Sequence, residues 1–181
     1  MTQPALCETF ELSRSLSSAP KLTALVEFLD ASGAELDLGR TVELLKNLEI
    51  TRSDVAPLLR FSERAYARNV VKHTDQYDVF LICWRPGQAS TIHDHRGSVC
   101  AFKIVSGHAT EIVFEPTVGG YVRPMTERLY SEGEICSAQD DETVHQVINR
   151  TTANEDLVTL HIYAPPLKMN VFELDPAFDH D

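Results

Sequence analysis

Residues 87–107 read GQASTIHDHRGSVCAFKIVSG. Within them His93 and His95 form a His-x-His pair. Side chains alternate faces along a strand, so two histidines one residue apart point to the same side. One strand end can thus offer two imidazoles to a metal with little further ordering, and imidazole suits iron, zinc, copper and nickel. A third ligand has to come from elsewhere in the chain, and His145 in TVHQVIN is the best candidate.

The spacing carries more than the pair alone. Gly87, His93, His95, Cys100 and Gly107 fall where the first cupin motif places its fixed residues, with one substitution. Cys100 stands where that superfamily usually has a glutamate that also binds metal. His145 and Asn149 are similar to the end of the second cupin motif, although Gly133 lies one residue too far upstream and that motif's proline and second glycine are missing. This resemblance implies a mainly β fold, a cupin jelly-roll β-barrel.

Composition narrows the function classes. The chain has 181 residues, which suggests a single domain over residues 1–181 with a substantial core. Sixteen basic and 27 acidic residues give a net charge of −11. That balance argues against nucleic-acid or anionic-membrane partners, both of which want basic patches. No apolar run approaches the roughly 20 residues of a membrane span, and MTQPALCETF lacks the basic start and apolar core of a signal peptide. Cys7, Cys83, Cys100 and Cys136 show neither a CxxC pattern nor a dense framework, which fits reduced thiols in a cytoplasmic protein.

Taken in order, residues 1–17 read as a loose arm and residues 18–62 as a helical front. Pro20 sits near a first turn. Leu22, Leu25, Val26 and Leu29 recur at helical spacing, with Gly33 as the stop. A second helix fits Thr41 to Leu48, and a third begins with Ser53 as its N-cap and runs to Leu59. From about residue 66 to 174 the pattern becomes short strands. They are Tyr77–Arg85, Cys100–Val105, Thr110–Phe114, Tyr121–Val122, Glu127–Tyr130, Glu134–Ser137, Val144–Asn149 and Val158–Tyr163, with Met169–Leu174 as one more. Ser106-Gly107-His108 reads as a hairpin turn. Many short strands separated by turns favour a sandwich or jelly roll. The acidic run Asp140-Asp141-Glu142 reads as a solvated turn.

From about Leu22 to Leu174 the chain resembles the cysteine dioxygenase family. Tyr66-Ala-Arg68-Asn69 is similar to that family's Tyr-x-Arg-Asn. Leu81-Ile-Cys-Trp84, the histidine pair and Cys100 follow in the family's order, and Thr159-Leu-His161-Ile-Tyr163-Ala-Pro165-Pro166 is similar to its Ser-x-His-x-Tyr-Ser-Pro-Pro. The resemblance implies one mononuclear iron(II) held by His93, His95 and His145. It also implies a monomer that takes a small thiol and dioxygen as substrates. Arg68 would bind the substrate carboxylate with Tyr66 beside it. Tyr163 would place its hydroxyl near the metal, oriented by His161 and Thr159. In animal members the counterparts of Cys100 and Tyr163 form a thioether crosslink, which is expected here. Thr159 departs from the family's serine but keeps the hydroxyl. Trp84 is assigned to packing near the pocket; His73, His108 and His180 are expected to be exposed and without a role. Nothing in the sequence places the charge of Arg96.

The chemistry agrees with the pattern. Triplet dioxygen reacts sluggishly with closed-shell thiols, and a redox-active metal removes that restriction where zinc cannot. Three neutral imidazoles leave iron(II) its full charge, which favours an anionic thiolate. The guanidinium fork of Arg68 suits a carboxylate. Related dioxygenases for 3-mercaptopropionate generally have glutamine at that position, so L-cysteine is the expected substrate and cysteine sulfinate the product. Other small thiols, such as 3-mercaptopropionate or homocysteine, stand as alternatives. So does a non-oxidative metal-binding cupin or sensor, because a fold by itself does not decide function.

Overall fold

A computed structural model describes residues 7–11, 16–32, 36–139, 143–150, 152 and 154–178. Gly33, the acidic run 140–142 and His180 lie outside the described residues. The chain is mainly β. Three helices, α1 (Pro20–Ser32), α2 (Leu38–Asn47) and the short α3 (Arg52–Val55), precede most of the strands. The strands are β1 (Glu8–Glu11), β2 (Ala67–His73), β3 (Asp78–Trp84), β4 (Ile92–His93), β5 (Val99–Ser106), β6 (Ala109–Pro116), β7 (Val122–Tyr130), β8 (Ile135–Gln139), β9 (Val144–Ile148), β10 (Leu157–Ala164) and β11 (Val171–Phe172). They form a six-stranded sheet in the order β1-β2-β3-β10-β5-β8 and a five-stranded sheet in the order β11-β4-β9-β6-β7. The ladders leave two sheets with free edges, a jelly roll that is not closed into a barrel.

β10 explains how the layers stack. All eight of its residues are buried. Leu160 and Ile162 pack in one cluster with Leu22, Leu25 and Leu29 of α1 and Leu45 of α2. Tyr163 belongs to another cluster with Trp84, Phe102 and Val147. The period-two alternation of a strand thus sends even-numbered residues toward the helices and odd-numbered ones toward the opposite sheet. A strand covered on both faces reads as a continuous apolar run, interrupted here only at positions 159 and 161.

Several boundaries differ from the sequence expectation for identifiable reasons. α2 begins earlier than Thr41, because Asp37 caps it by accepting from Arg40 N at 2.8 Å. α3 is capped by Thr51, not Ser53: Thr51 and Asp54 exchange the reciprocal bonds of a capping box. Residues 8–11 are no loose arm but an edge strand parallel to β2, with Glu8 opposite Ala67. β7 runs unbroken where two short pieces were expected. Pro124 is tolerated because β7 is an edge strand with a register shift opposite Val113 and Phe114. The expected hairpin turn is present. A Cβ on Gly107, whose φ is +84°, would meet Asp156 O at 2.7 Å, so the close approach there requires glycine.

Two buried amides tie this frame together. Asn69 donates to Arg60 O and Leu81 O, both at 3.1 Å, and accepts from Arg60 N at 3.0 Å. Asn149 donates to Trp84 O at 3.1 Å and Glu155 O at 2.9 Å. No helix among the described residues is long and apolar enough to cross a membrane.

Candidate active site

The histidines converge because of strand register. His93 and His145 are direct partners in the antiparallel β4–β9 pair. His95 follows two residues after His93. The three rings lie with centroids 4.9–5.3 Å apart, and one ligating atom from each can be chosen so that all lie within 4.8 Å of one another. All three side chains are buried. Asp94, between the pair, is clamped to the C-terminal segment: it accepts from Asn170 N and Asn170 Nδ2, both at 2.7 Å. Arg96, just beyond, is exposed with a φ of 41°.

The proton arrangement suits a cation. His93 Nδ1 sits 2.9 Å from Thr91 O, an acceptor, so Nδ1 carries the hydrogen and Nε2 keeps a free lone pair. Neither nitrogen of His95 has a partner, although its ring is wholly buried. Buried polar atoms are nearly always satisfied, so an orphaned imidazole facing two others fits a metal ligand. Burial, then the neighbouring His145, lowers the pKa values of His93 and His95 to about 3, which keeps both neutral and able to ligate. Glu111, Cys136 and His145 also come close together. Burial alone would raise the pKa of Glu111, but bonds from His145, Cys136 and Tyr130 outweigh it and hold the carboxylate below its usual range.

Across the cavity stands the inner face of the six-stranded sheet. Arg68, Ile82 and Thr159 form one cross-strand row over β2, β3 and β10. The next rows along β10 contain His161 beside Phe102 and Tyr163 beside Cys100. Tyr66, Arg68, Cys100 and Tyr163 line the cavity together with His93 and His145. His161 lines it as well, with its ring stacked 4.5 Å from Phe102. The sequence reading therefore named residues that the fold does bring together.

A polar chain runs behind Tyr163. Trp84 Nε1 donates to Thr159 Oγ1 at 3.0 Å, Thr159 Oγ1 lies 2.8 Å from His161 Nε2, and His161 Nδ1 lies 3.0 Å from the Tyr163 hydroxyl. Trp84 can only donate. In the tautomer where Thr159 gives its hydrogen to Nε2, Nδ1–H donates to the tyrosine oxygen and the Tyr163 hydrogen is left for another acceptor, with Cys100 beside it. Burial, then the charge of Arg68, keeps His161 neutral. Trp84 is therefore more than packing, a role the sequence did not show. Thr159→Val leaves Trp84 Nε1 and His161 Nε2 buried without partners and is expected to destabilise the fold by about 2–3 kcal/mol in urea unfolding. Thr159→Ser, which keeps the oxygen, is expected to stay within about 1 kcal/mol of the parent.

Arg68 is half-buried. Its Nη2 donates to the Tyr66 hydroxyl at 3.1 Å, while its buried Nε has no partner. The guanidinium lies 5.6 Å from the Tyr66 ring and 6.0 Å from Phe80, and Tyr66 stacks on Trp84 at 4.4 Å. Burial pushes the Cys100 thiol up to about 12 and the Tyr163 phenol well above its ordinary value. His73 and His108 are exposed at the surface, paired with Asp78 and Glu155 respectively.

A two-sheet jelly roll with imidazoles gathered between its sheets has the architecture of a cupin. A solved structure described as an uncharacterized conserved protein with a double-stranded β-helix domain, from Klebsiella pneumoniae, shares this fold. Its TM-score is 0.54 at 23% identity, over 66% of this chain and 88% of that one. The family model for cysteine dioxygenase type I matches residues 8–174, and the chain belongs to that family of dioxygenase enzymes. Cysteine dioxygenase type 1 of Rattus norvegicus is 27% identical over 175 residues, covering 95% of this chain and 84% of the relative. The Homo sapiens protein of the same name is 27% identical over 151 residues, covering 82% and 72%.

Proposed function

We propose that this protein is an iron(II)-dependent thiol dioxygenase that converts L-cysteine and dioxygen to cysteine sulfinate. The observation that carries the reading is one cavity lined both by members of the buried histidine cluster and by Arg68, whose Nε has no protein partner. His93, His95 and His145 would hold the iron. Bound there, iron(II) supplies the redox-active centre that lets dioxygen react with a closed-shell thiol, both oxygen atoms ending on sulfur. Arg68 anchors the carboxylate, with Tyr66 fixing the guanidinium. Anchoring one end of the substrate and leaving the thiol free toward the histidines converts an encounter into a held geometry. With His161 donating to its oxygen, the Tyr163 hydroxyl would turn its hydrogen to the reacting sulfur or oxygen, and Trp84, Thr159 and His161 keep that hydroxyl in place.

Cys100 and Tyr163 are direct partners across β5 and β10. The reading includes a thioether between Cys100 Sγ and a ring carbon of Tyr163, formed as the S–H and ring C–H give up two protons and two electrons to dioxygen, which is reduced to hydrogen peroxide. It also takes the protein to be a cytoplasmic monomer. The four cysteines, none in a disulfide, support the compartment, and the monomer rests on the family resemblance alone.

The test is mass spectrometry of anaerobically purified, iron-loaded protein given cysteine and isotopically labelled dioxygen. The expected result is cysteine sulfinate carrying two labelled oxygens and, after proteolysis, a Cys100–Tyr163 peptide lacking two hydrogens. Stoichiometric zinc in the purified protein, with no oxygen uptake after iron loading, would replace this reading with a non-oxidative cupin.

A further inference from the structure

The thiol chemistry above makes no use of the buried carboxylate of Glu111. Glu111 is 6% exposed and sits on β6 two residues before Val113, the direct partner of His145 on β9. That is the diagonal position across an antiparallel pair, within reach of a long side chain. Its Oε1 accepts from His145 Nδ1 at 2.7 Å and from Cys136 Sγ at 3.0 Å, and its Oε2 accepts from the Tyr130 hydroxyl at 3.0 Å. Tyr130 comes from β7 and Cys136 from β8 in the other sheet, so three strands besides β6 hold this one group. Every partner donates, which makes the carboxylate a pure acceptor and requires the hydrogen of His145 to sit on Nδ1.

The other two histidines are treated differently. His93 Nδ1 faces only a backbone carbonyl, and His95 has no partner at all. A carboxylate behind an imidazole fixes its tautomer and makes it a stronger donor. We propose that Glu111 is the positioning residue of the three-histidine centre: it commits His145 to ligation through Nε2 and makes it the most electron-rich of the three ligands. Cys136 and Tyr130 hold the carboxylate for this purpose. The proposal rests on the reading of the three histidines as a metal site.

The experiment compares wild-type protein with Glu111→Gln. Glutamine keeps the shape and one acceptor for His145 Nδ1–H. It loses the charge and turns an amide NH2 toward the Tyr130 hydroxyl, which itself donates. Cobalt(II) affinity, measured by competition with a chromophoric chelator, is expected to fall about 10- to 100-fold in the variant. Nitrogen-15 NMR of zinc-loaded wild-type protein is expected to show His145 protonated at Nδ1 and ligated through Nε2, and this measurement stands if the variant does not fold. Ligation through Nδ1 in the wild type, or equal cobalt affinity in a folded variant, would overturn the role of Glu111 and leave the metal site intact. A wild-type protein that binds neither metal would overturn both.

Discussion

His95→Ala is expected to abolish iron binding and thiol-dependent oxygen uptake while leaving the apo fold nearly as stable as before. His95 is the cleanest of the three histidines to remove. Losing His145 would strip Glu111 of a donor, and losing His93 would free the Thr91 carbonyl. His95 makes no hydrogen bond, so no protein group loses a partner with it. Two opposing effects follow in the apo protein. Truncating a wholly buried ring leaves a cavity, which costs stability, but it also removes two unsatisfied polar atoms, each a penalty of about 1–3 kcal/mol. The net change in apo stability is expected to be about 1 kcal/mol or less. Metal-linked stability separates the proteins. Wild type at 100 times its dissociation constant gains about 2.7 kcal/mol from binding, and the variant gains none. Paired thermal melts with and without iron(II) measure this directly. A variant that melts higher with iron by the wild-type increment would remove His95 from the site.

Arg68→Gln is expected to raise the KM for L-cysteine roughly 10- to 150-fold, the equivalent of about 1.5–3 kcal/mol for a charge-assisted bond. The arginine is built for this. No carboxylate among the described residues is ion-paired with it, one fork nitrogen is fixed by the Tyr66 hydroxyl, and its Nε is buried and unpartnered. A surface arginine with those freedoms would contribute little, but here the side chain lies against two aromatic rings in the cavity wall. Oxygen uptake with cysteamine, which has no carboxylate, supplies the control: its already poor turnover is expected to be similar in both proteins. Unchanged cysteine kinetics in the variant would take Arg68 out of substrate binding.

Those two residues were legible in the sequence for different reasons. The pairing of His93 and His95 was read from strand periodicity and their ligand role from the motif spacing, although β4 ends at His93 and His95 lies just beyond it; Thr159, His161 and Tyr163 came from the family's motif. Arg68 required a motif, because His145, which lines the same cavity, lies about 80 positions away and no local pattern links the two. His145 was visible as a motif residue, but only the β4–β9 register shows why it lands opposite His93. Glu111, Tyr130 and Cys136 were not legible. Their meeting depends on a diagonal offset in one sheet and on the approach of a second sheet, neither of which leaves a local pattern. The same holds for the Asp94–Asn170 clamp and for β1, which finds β2 some 60 residues away. Errors in the helices were of another kind: Thr51 and Ser53 are both good caps, and the capping-box partner Asp54 decides in favour of Thr51.

β10 carries one consequence beyond its own packing. Its outward residues answer to the helices and its inward residues to the cavity side, on a single stretch of eight positions. Divergence of catalytic preference within such a lineage can therefore proceed by changing alternate letters of one strand, with natural selection acting on the two interleaved sets separately.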